Sequence, residues 1–81
     1  MALAPVTLNT AKRGKAVYTS KELPLGFNNK KPIPARTKGY IKSDGFEAGV
    51  LQVHFPLWAG DEHARFNELS ARAYLECDPF F

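Results

Sequence analysis

Apolar and polar residues alternate most regularly between residues 37 and 55, in the stretch TKGYIKSDGFEAGVLQVHF. In its second half every other residue is a large apolar one (Leu51, Val53 and Phe55), which is the period of a β-strand with one buried face. In its first half Gly39 and Ile41 repeat that period. Asp44-Gly45 lies between the halves, and this dipeptide is a strong signal for a tight hairpin turn. The pattern therefore predicts a β-hairpin that packs one face on a core.

The opposite face of this hairpin is polar and mainly basic. Side chains that face each other across two antiparallel strands lie close enough to form one surface. We call this surface the basic face, and its residues are Arg36, Lys38, Tyr40 and Lys42 on the first strand with Gln52 and His54 on the second. Tyr40 is the one aromatic ring in the middle of the lysines and arginine.

The chain before the hairpin divides into three parts. Residues 1–14 have no usable period, and we expect a flexible N-terminal arm. Residues 15–20, KAVYTS, are rich in β-formers and predict a short strand. Residues 21–36 contain Pro24, Pro32 and Pro34, which exclude a helix or an interior strand and predict a long loop. Because long loops in small domains are usually functional, we add Lys30 and Lys31 of this loop to the candidate binding surface.

The chain after the hairpin has two interpretations that the residues leave open. In the first, residues 61–76 form a helix that starts at Asp61, since apolar or small residues recur at helical spacing at Phe66, Leu69, Ser70, Ala73 and Cys77. In the second, ARFNELS and AYLEC form a strand, a turn and a last strand. Residues 15–78 are expected to form one globular domain, followed by an aromatic tail at 79–81.

The two interpretations give two fold classes. The strand interpretation predicts a mostly β, small single-domain antiparallel barrel with a long first loop. The helix interpretation predicts an α+β fold, with an antiparallel sheet and a C-terminal helix over 61–76. In either case we expect a core that includes Val17, Ile41, Leu51, Val53, Phe55 and Phe66.

Composition and charge narrow the possible functions. The chain has 81 residues, 44% of them hydrophobic, and no apolar run approaches the roughly 20 residues of a membrane-spanning helix. The formal charge is +3, but residues 1–42 carry a net +8 and residues 43–81 a net −5. The one cysteine, Cys77, cannot form an internal disulfide, so we expect a reducing, cytoplasmic environment and a buried thiol.

The sequence offers little material for catalysis. Its two histidines, His54 and His63, are expected on the surface, and Asp61, Glu62 and His63 lack the spacing of a zinc site. No glycine-rich phosphate-binding loop is present in the sequence. We therefore predict a protein that is not an enzyme, with no catalytic residues, no metal and no cofactor.

Several short motifs resemble one known family. RGKAV at 13–17, the Gly26-Phe27-Asn28 loop, TKGYI, VLQVHF, and Phe66 with Leu69 are similar to the small SH3-like barrels of electron-transport accessory proteins. This family includes the photosystem I ferredoxin-docking subunit and the variable chain of ferredoxin–thioredoxin reductase. The resemblance implies an SH3-like barrel that serves as an accessory subunit of an electron-transfer complex. Similar patterns also occur in Tudor and KOW modules, which bind peptides or RNA.

The basic face then has three interpretations. In the first, which we favour, it docks an acidic partner protein, with its charges steering the encounter and Tyr40 supplying apolar contact. In the second it binds nucleic acid, with the cations on phosphates and Tyr40 stacked on a base. In the third it is a solvated sheet face whose lysines keep the protein soluble.

Overall fold

The computed structural model describes residues 3–24, 32–56 and 62–80. In these residues the chain forms the following elements: β1 (Ala4–Pro5), β2 (Ala16–Thr19), β3 (Lys38–Ile41), β4 (Leu51–Phe55), β5 (Glu62–Phe66), α1 (Glu68–Tyr74) and β6 (Leu75–Cys77). The strands form one antiparallel sheet in the order β1-β6-β2-β3-β4-β5. The sheet curls into a half-barrel, so the predicted mostly β fold class is confirmed.

The inner face of the curled sheet forms the core. The six residues predicted to be there are at most 1% exposed, namely Val17, Ile41, Leu51, Val53, Phe55 and Phe66. Cys77 is also buried, as predicted. Since alternate residues of a strand point to opposite faces, burial of this set fixes which side chains of β3 and β4 face solvent.

The segment predicted as an N-terminal arm contributes to the sheet and to the core. Ala4 pairs with Cys77 across β1 and β6, and the backbone N–H of Val6 donates to the carbonyl of Leu75 at 3.1 Å. The side chain of Val6 is fully buried, and Ala11 is nearly so. The N-terminal segment therefore supplies the edge strand next to β6 and two residues of the core.

The two described ends of the long loop are held together by hydrogen bonds. Leu23 and Ile33 exchange backbone hydrogen bonds of 2.7 and 3.0 Å, and both side chains are fully buried. The buried hydroxyl of Thr19 donates to the carbonyl of Pro34 and accepts from the N–H of Thr37, each at 2.8 Å. The loop thus adds two side chains to the core. The hydrogen bonds to Thr19 also fix the position of the residues that lead into β3.

The hairpin between β3 and β4 turns later than predicted. Glu47 and Val50 exchange two backbone hydrogen bonds of 3.0 Å, and the two residues between them have positive φ, 53° at Ala48 and 78° at Gly49, as in a type I′ turn. Asp44-Gly45 lies in the bend that precedes this turn. The prediction of the tight turn at Asp44-Gly45 was therefore wrong, although the pairing of the two strands was right.

The C-terminal region combines parts of both predicted alternatives. Residues 62–66 and 75–77 are strands, and the helix between them has only seven residues. The predicted helical stripe is wrong, because Leu69 is 69% exposed and Ala73 is also exposed. The helix begins after Asn67, whose side chain accepts a hydrogen bond from the N–H of Ser70 at 2.7 Å. The proposed cap at Asp61 lies outside the described residues.

Candidate functional site

The basic face lies on the outer, convex side of the sheet. Arg36, Lys38, Tyr40, Lys42 and Gln52 are exposed and His54 is half-buried, while Gly39 and Ile41 between them are buried. This alternation follows from the pairing of Tyr40 with His54 and of Ile41 with Val53. Lys30 and Lys31, the other two candidate residues, lie outside the residues that the structure describes.

Three rings form a row across the basic face and the neighbouring strand. Tyr40 on β3 is paired with His54 on β4, and His54 is paired with His63 on β5. The two imidazole rings are stacked, with centroids 4.4 Å apart and planes 17° from parallel. The ammonium group of Lys38 lies 5.5 Å from the centre of the Tyr40 ring, within the range of a cation–π contact. We call Tyr40, His54 and His63 the ring row.

One end of the basic face lies near β2 and β6. Lys38 is paired with Tyr18, and Tyr18 with Glu76, so an aromatic and an acidic residue border this end. Arg36 has a positive φ of 64°, and its N–H donates to the carbonyl of Thr19 at 2.7 Å. A hollow of about 100 Å³ is found here, lined by Leu3, Tyr18, Thr19, Ser20, Arg36 and Glu76. Arg36 therefore lines this small hollow, at the β2 and β6 end of the basic face.

The other end of the basic face borders a larger hollow. It has a volume of about 350 Å³ and is lined by Arg13, Gly14, Tyr40, Ile41, Lys42 and His54. We call it the Arg13 hollow. Its lining is largely apolar, and its cationic side chains belong to Arg13 and Lys42. Three residues of the basic face are thus brought together around one depression, with Arg13 added from the N-terminal segment.

Arg13 is held in place by an acidic residue of the hairpin. Its Nε donates to Oδ1 of Asp44 at 2.7 Å, although both side chains are well exposed. The hydrogen bond from Arg13, followed by its charge, lowers the pKa of the Asp44 carboxyl below its ordinary value. The same pair raises the pKa of Arg13. Asp44 is fixed in turn by its own N–H, which donates to the Glu47 carboxylate at 3.1 Å.

Within the part of the chain that the structure describes, the cations of the basic face have no carboxylate partner. In the described ranges 3–24, 32–56 and 62–80, no Asp or Glu forms an ion pair with Arg36, Lys38 or Lys42. Their positive charges are therefore directed to solvent along one side of β3. A row of unpaired cations beside aromatic rings is an arrangement that attracts anionic groups.

Sequence reasoning missed four residues of this surface. Arg13 was assigned to the arm, Tyr18 to a short strand that was not linked to the basic face, and His63 and Arg65 to a region with two interpretations. If residues 62–66, EHARF, had been assumed to form a strand, alternation would have placed His63 and Arg65 on the outer face. The contact of Arg13 with Asp44 spans 31 positions and has no local signal. Gln52 is paired with Arg65 on β5 and does not line the Arg13 hollow.

The described residues contain neither a cluster of metal ligands nor a membrane-spanning helix. In this part of the chain no group of three or more His, Cys, Asp or Glu side chains could hold a metal ion. Nor does any described helix combine the length and apolarity needed to cross a membrane.

No family of proteins, no curated protein and no solved structure matches the chain. The resemblance to electron-transport accessory barrels therefore stays a prediction.

Proposed function

We propose that this protein is a non-catalytic binding module that docks an acidic partner protein through its basic face. The observation that carries the proposal is a set of exposed cations that lack a carboxylate partner among the described residues: Lys38 and Lys42 on either side of Tyr40, and Arg36 just before β3. Charges arranged in this way raise the rate of encounter with a partner of opposite sign and orient it.

Tyr40 supplies the contact area in this proposal. Tyrosine is enriched at binding interfaces because its ring is large, rigid and amphipathic. In this chain 36% of Tyr40 is exposed, and Lys38 and His54 flank it. An acidic surface that reaches the lysines would therefore also cover the ring, so that charge steers the encounter and apolar contact prolongs the complex.

The sequence also supports a proposal for the complex and the cellular compartment in which the module works. The resemblance to SH3-like accessory barrels supports a role as a subunit of a larger electron-transfer complex. The single, buried Cys77 supports a reducing, cytoplasmic location.

Nucleic acid is the second candidate partner, and the ring row favours it. Single-strand binders usually place several rings on a basic surface, and here Tyr40, His54 and His63 lie side by side. Against this candidate, about three cations on the face would neutralise only about three phosphates, which gives weak binding at physiological salt.

A capture experiment distinguishes the two candidates. The immobilised protein is incubated with lysate, with and without nuclease, at about 10 mM and about 150 mM salt, where the Debye length is about 30 Å and 8 Å. We expect an acidic protein to be retained after nuclease treatment. Its binding should be weaker at the higher salt concentration. Loss of the captured material on nuclease treatment would favour nucleic acid.

A charge-reversed variant shows whether capture uses the basic face. Lys38→Glu/Lys42→Glu should lose the captured protein, because both positions are exposed, Lys38 at the start of β3 and Lys42 directly after its end. The matched control Lys21→Glu/Arg72→Glu makes the same change of charge after β2 and on α1, and should retain it. Equal capture by both variants would contradict the proposal.

A further inference from the structure

The Arg13 hollow is a shaped depression lined by residues of β3, β4 and the N-terminal segment. Its volume of about 350 Å³ is near the lower end of the range of about 300–1,000 Å³ for small ligand sites. A hollow of this size accepts one large side chain more readily than a cofactor. It opens to solvent beside the basic face and shares Tyr40, Lys42 and His54 with that face.

One of the residues that line the hollow is a glycine, Gly14. Gly14 has a φ of +83°, and a β-carbon built there meets no atom within 4 Å. The N–H of Gly14 donates to the carbonyl of Ile41 at 2.8 Å, which holds this segment against β3. The Gly14 backbone that lines the hollow is therefore held against β3, and the space beside it is open.

The walls of the hollow are rings that neighbouring groups hold in place. Tyr40 is flanked by the ammonium of Lys38, and His54 is stacked on His63. Aromatic walls favour a ligand group that is itself planar and apolar, since offset or edge-to-face ring pairs are stabilised beyond their area of burial.

The rim of the hollow is cationic. Nε of Arg13 is engaged by Asp44, but an arginine has four further N–H groups, and these can donate to a second carboxylate. The ammonium of Lys42 has no carboxylate partner in the described part of the chain. A ligand with negative charge on either side of its apolar group could pair with Lys42 and accept hydrogen bonds from the remaining N–H groups of Arg13.

We propose that the Arg13 hollow receives an aromatic side chain from an acidic segment of the partner, with Arg13 and Lys42 binding carboxylates that flank that side chain. This inference rests on the proposed function, because it specifies which part of an acidic partner is recognised. It requires the partner to carry a short segment in which acidic residues surround one phenylalanine, tyrosine or tryptophan.

Synthetic peptides test the inference directly. The capped pentapeptide Glu-Asp-Phe-Asp-Glu is titrated into the ¹⁵N-labelled protein and followed by NMR. We expect shifts centred on the amides of Gly14, Ile41 and Lys42, and a dissociation constant about tenfold lower than that of Glu-Asp-Ala-Asp-Glu, because a buried aromatic anchor dominates such contacts. The uncharged peptide Gln-Asn-Phe-Asn-Gln should bind more weakly than Glu-Asp-Phe-Asp-Glu, because it lacks the carboxylates that would pair with Arg13 and Lys42.

Two variants locate the binding site on the protein. Tyr40→Ala should weaken binding of the phenylalanine peptide about tenfold and leave binding of the alanine peptide nearly unchanged. The control Arg65→Ala removes an exposed cation from the same side of the sheet without touching the hollow, and should preserve the difference between the two peptides.

Three outcomes would overturn the inference, and they separate it from the proposed function. Equal binding of the phenylalanine and alanine peptides means that charge alone is recognised, which leaves the proposed function standing. Tighter binding of a thymidine pentanucleotide, with shifts at the same amides, assigns the hollow to a base. Failure of all acidic peptides overturns the inference, and the capture experiment with Lys38→Glu/Lys42→Glu then decides the proposed function separately.

Discussion

The ring of Phe55 packs against the backbone of Gly39 on the adjacent strand. A β-carbon at Gly39 would lie 2.7 Å from Cδ1 of Phe55, 2.8 Å from Cε1 and 2.9 Å from the carbonyl oxygen of His54. These distances leave no room for any side chain at this position. The glycine between Lys38 and Tyr40 is therefore what allows β3 to present its basic face while the largest core residue of β4 packs behind it.

We expect Gly39→Ala to destabilise the protein by about 2 kcal/mol or more, because the added methyl group overpacks a fully buried site. For a domain of this size such a change lowers the melting temperature by roughly 10 °C. Thermal unfolding followed by circular dichroism measures the effect. In a Phe55→Leu background the cost should be smaller, since part of the ring has been removed. The same cost in both backgrounds would contradict the packing described.

Val53→Asp should unfold the protein. Val53 is fully buried, and an unpaired carboxylate there costs several kcal/mol against a total stability of about 5–15 kcal/mol. The neighbouring substitution Gln52→Asp places the same group on the exposed face and should leave the fold intact. A cooperative melt of Val53→Asp near that of the wild type would show that the two faces of β4 are assigned the wrong way round.

Asn67→Ala should cost about 1 kcal/mol of unfolding free energy, because it removes the side-chain oxygen that caps α1. Asn67→Asp keeps an acceptor at this position and should be nearly neutral. Urea titrations of the two variants provide the comparison. If Asn67→Asp is as damaging as Asn67→Ala, the cap is not the source of the stabilisation.

The pKa of Asp44 should rise toward its ordinary value in Arg13→Gln. Because the folded-state pKa is lowered, the ion pair stabilises the protein above the unfolded-chain pKa of about 4, and this contribution is lost as the pH falls through the folded-state value. NMR titration of the carboxyl carbon measures the pKa. Lys12→Gln removes an adjacent charge without this hydrogen bond, so it should leave the titration of Asp44 nearly unchanged.

The parts of the fold that could be predicted are those with a local period. Alternation around Val53 identified both faces of β4, and matching it to Ile41 identified β3. The turn was misplaced because Ala48 adopts a positive φ that sequence patterns assign to glycine or asparagine. Here the strand pairing beyond the turn, rather than the residue's own preference, selects the conformation.

The C-terminal error has a different physical cause. Phe66 and Cys77 have helical spacing in the sequence, but they reach the core from two strands on either side of a short helix. A period alone cannot distinguish these arrangements when the helix buries only Ala71. The candidate site was likewise only half predictable, because the Arg13–Asp44 and His54–His63 contacts depend on strand order and register.

Docking through the basic face is tested most directly by the rate constant with which the captured acidic partner associates with the wild type and with Lys38→Glu/Lys42→Glu. At about 10 mM salt we predict a rate at least roughly tenfold lower for this variant, because steering by exposed charges acts mainly on association. The dissociation rate should change less, and Lys21→Glu/Arg72→Glu should match the wild type. An unchanged association rate for Lys38→Glu/Lys42→Glu at low salt would contradict the claim that the basic face is the docking surface.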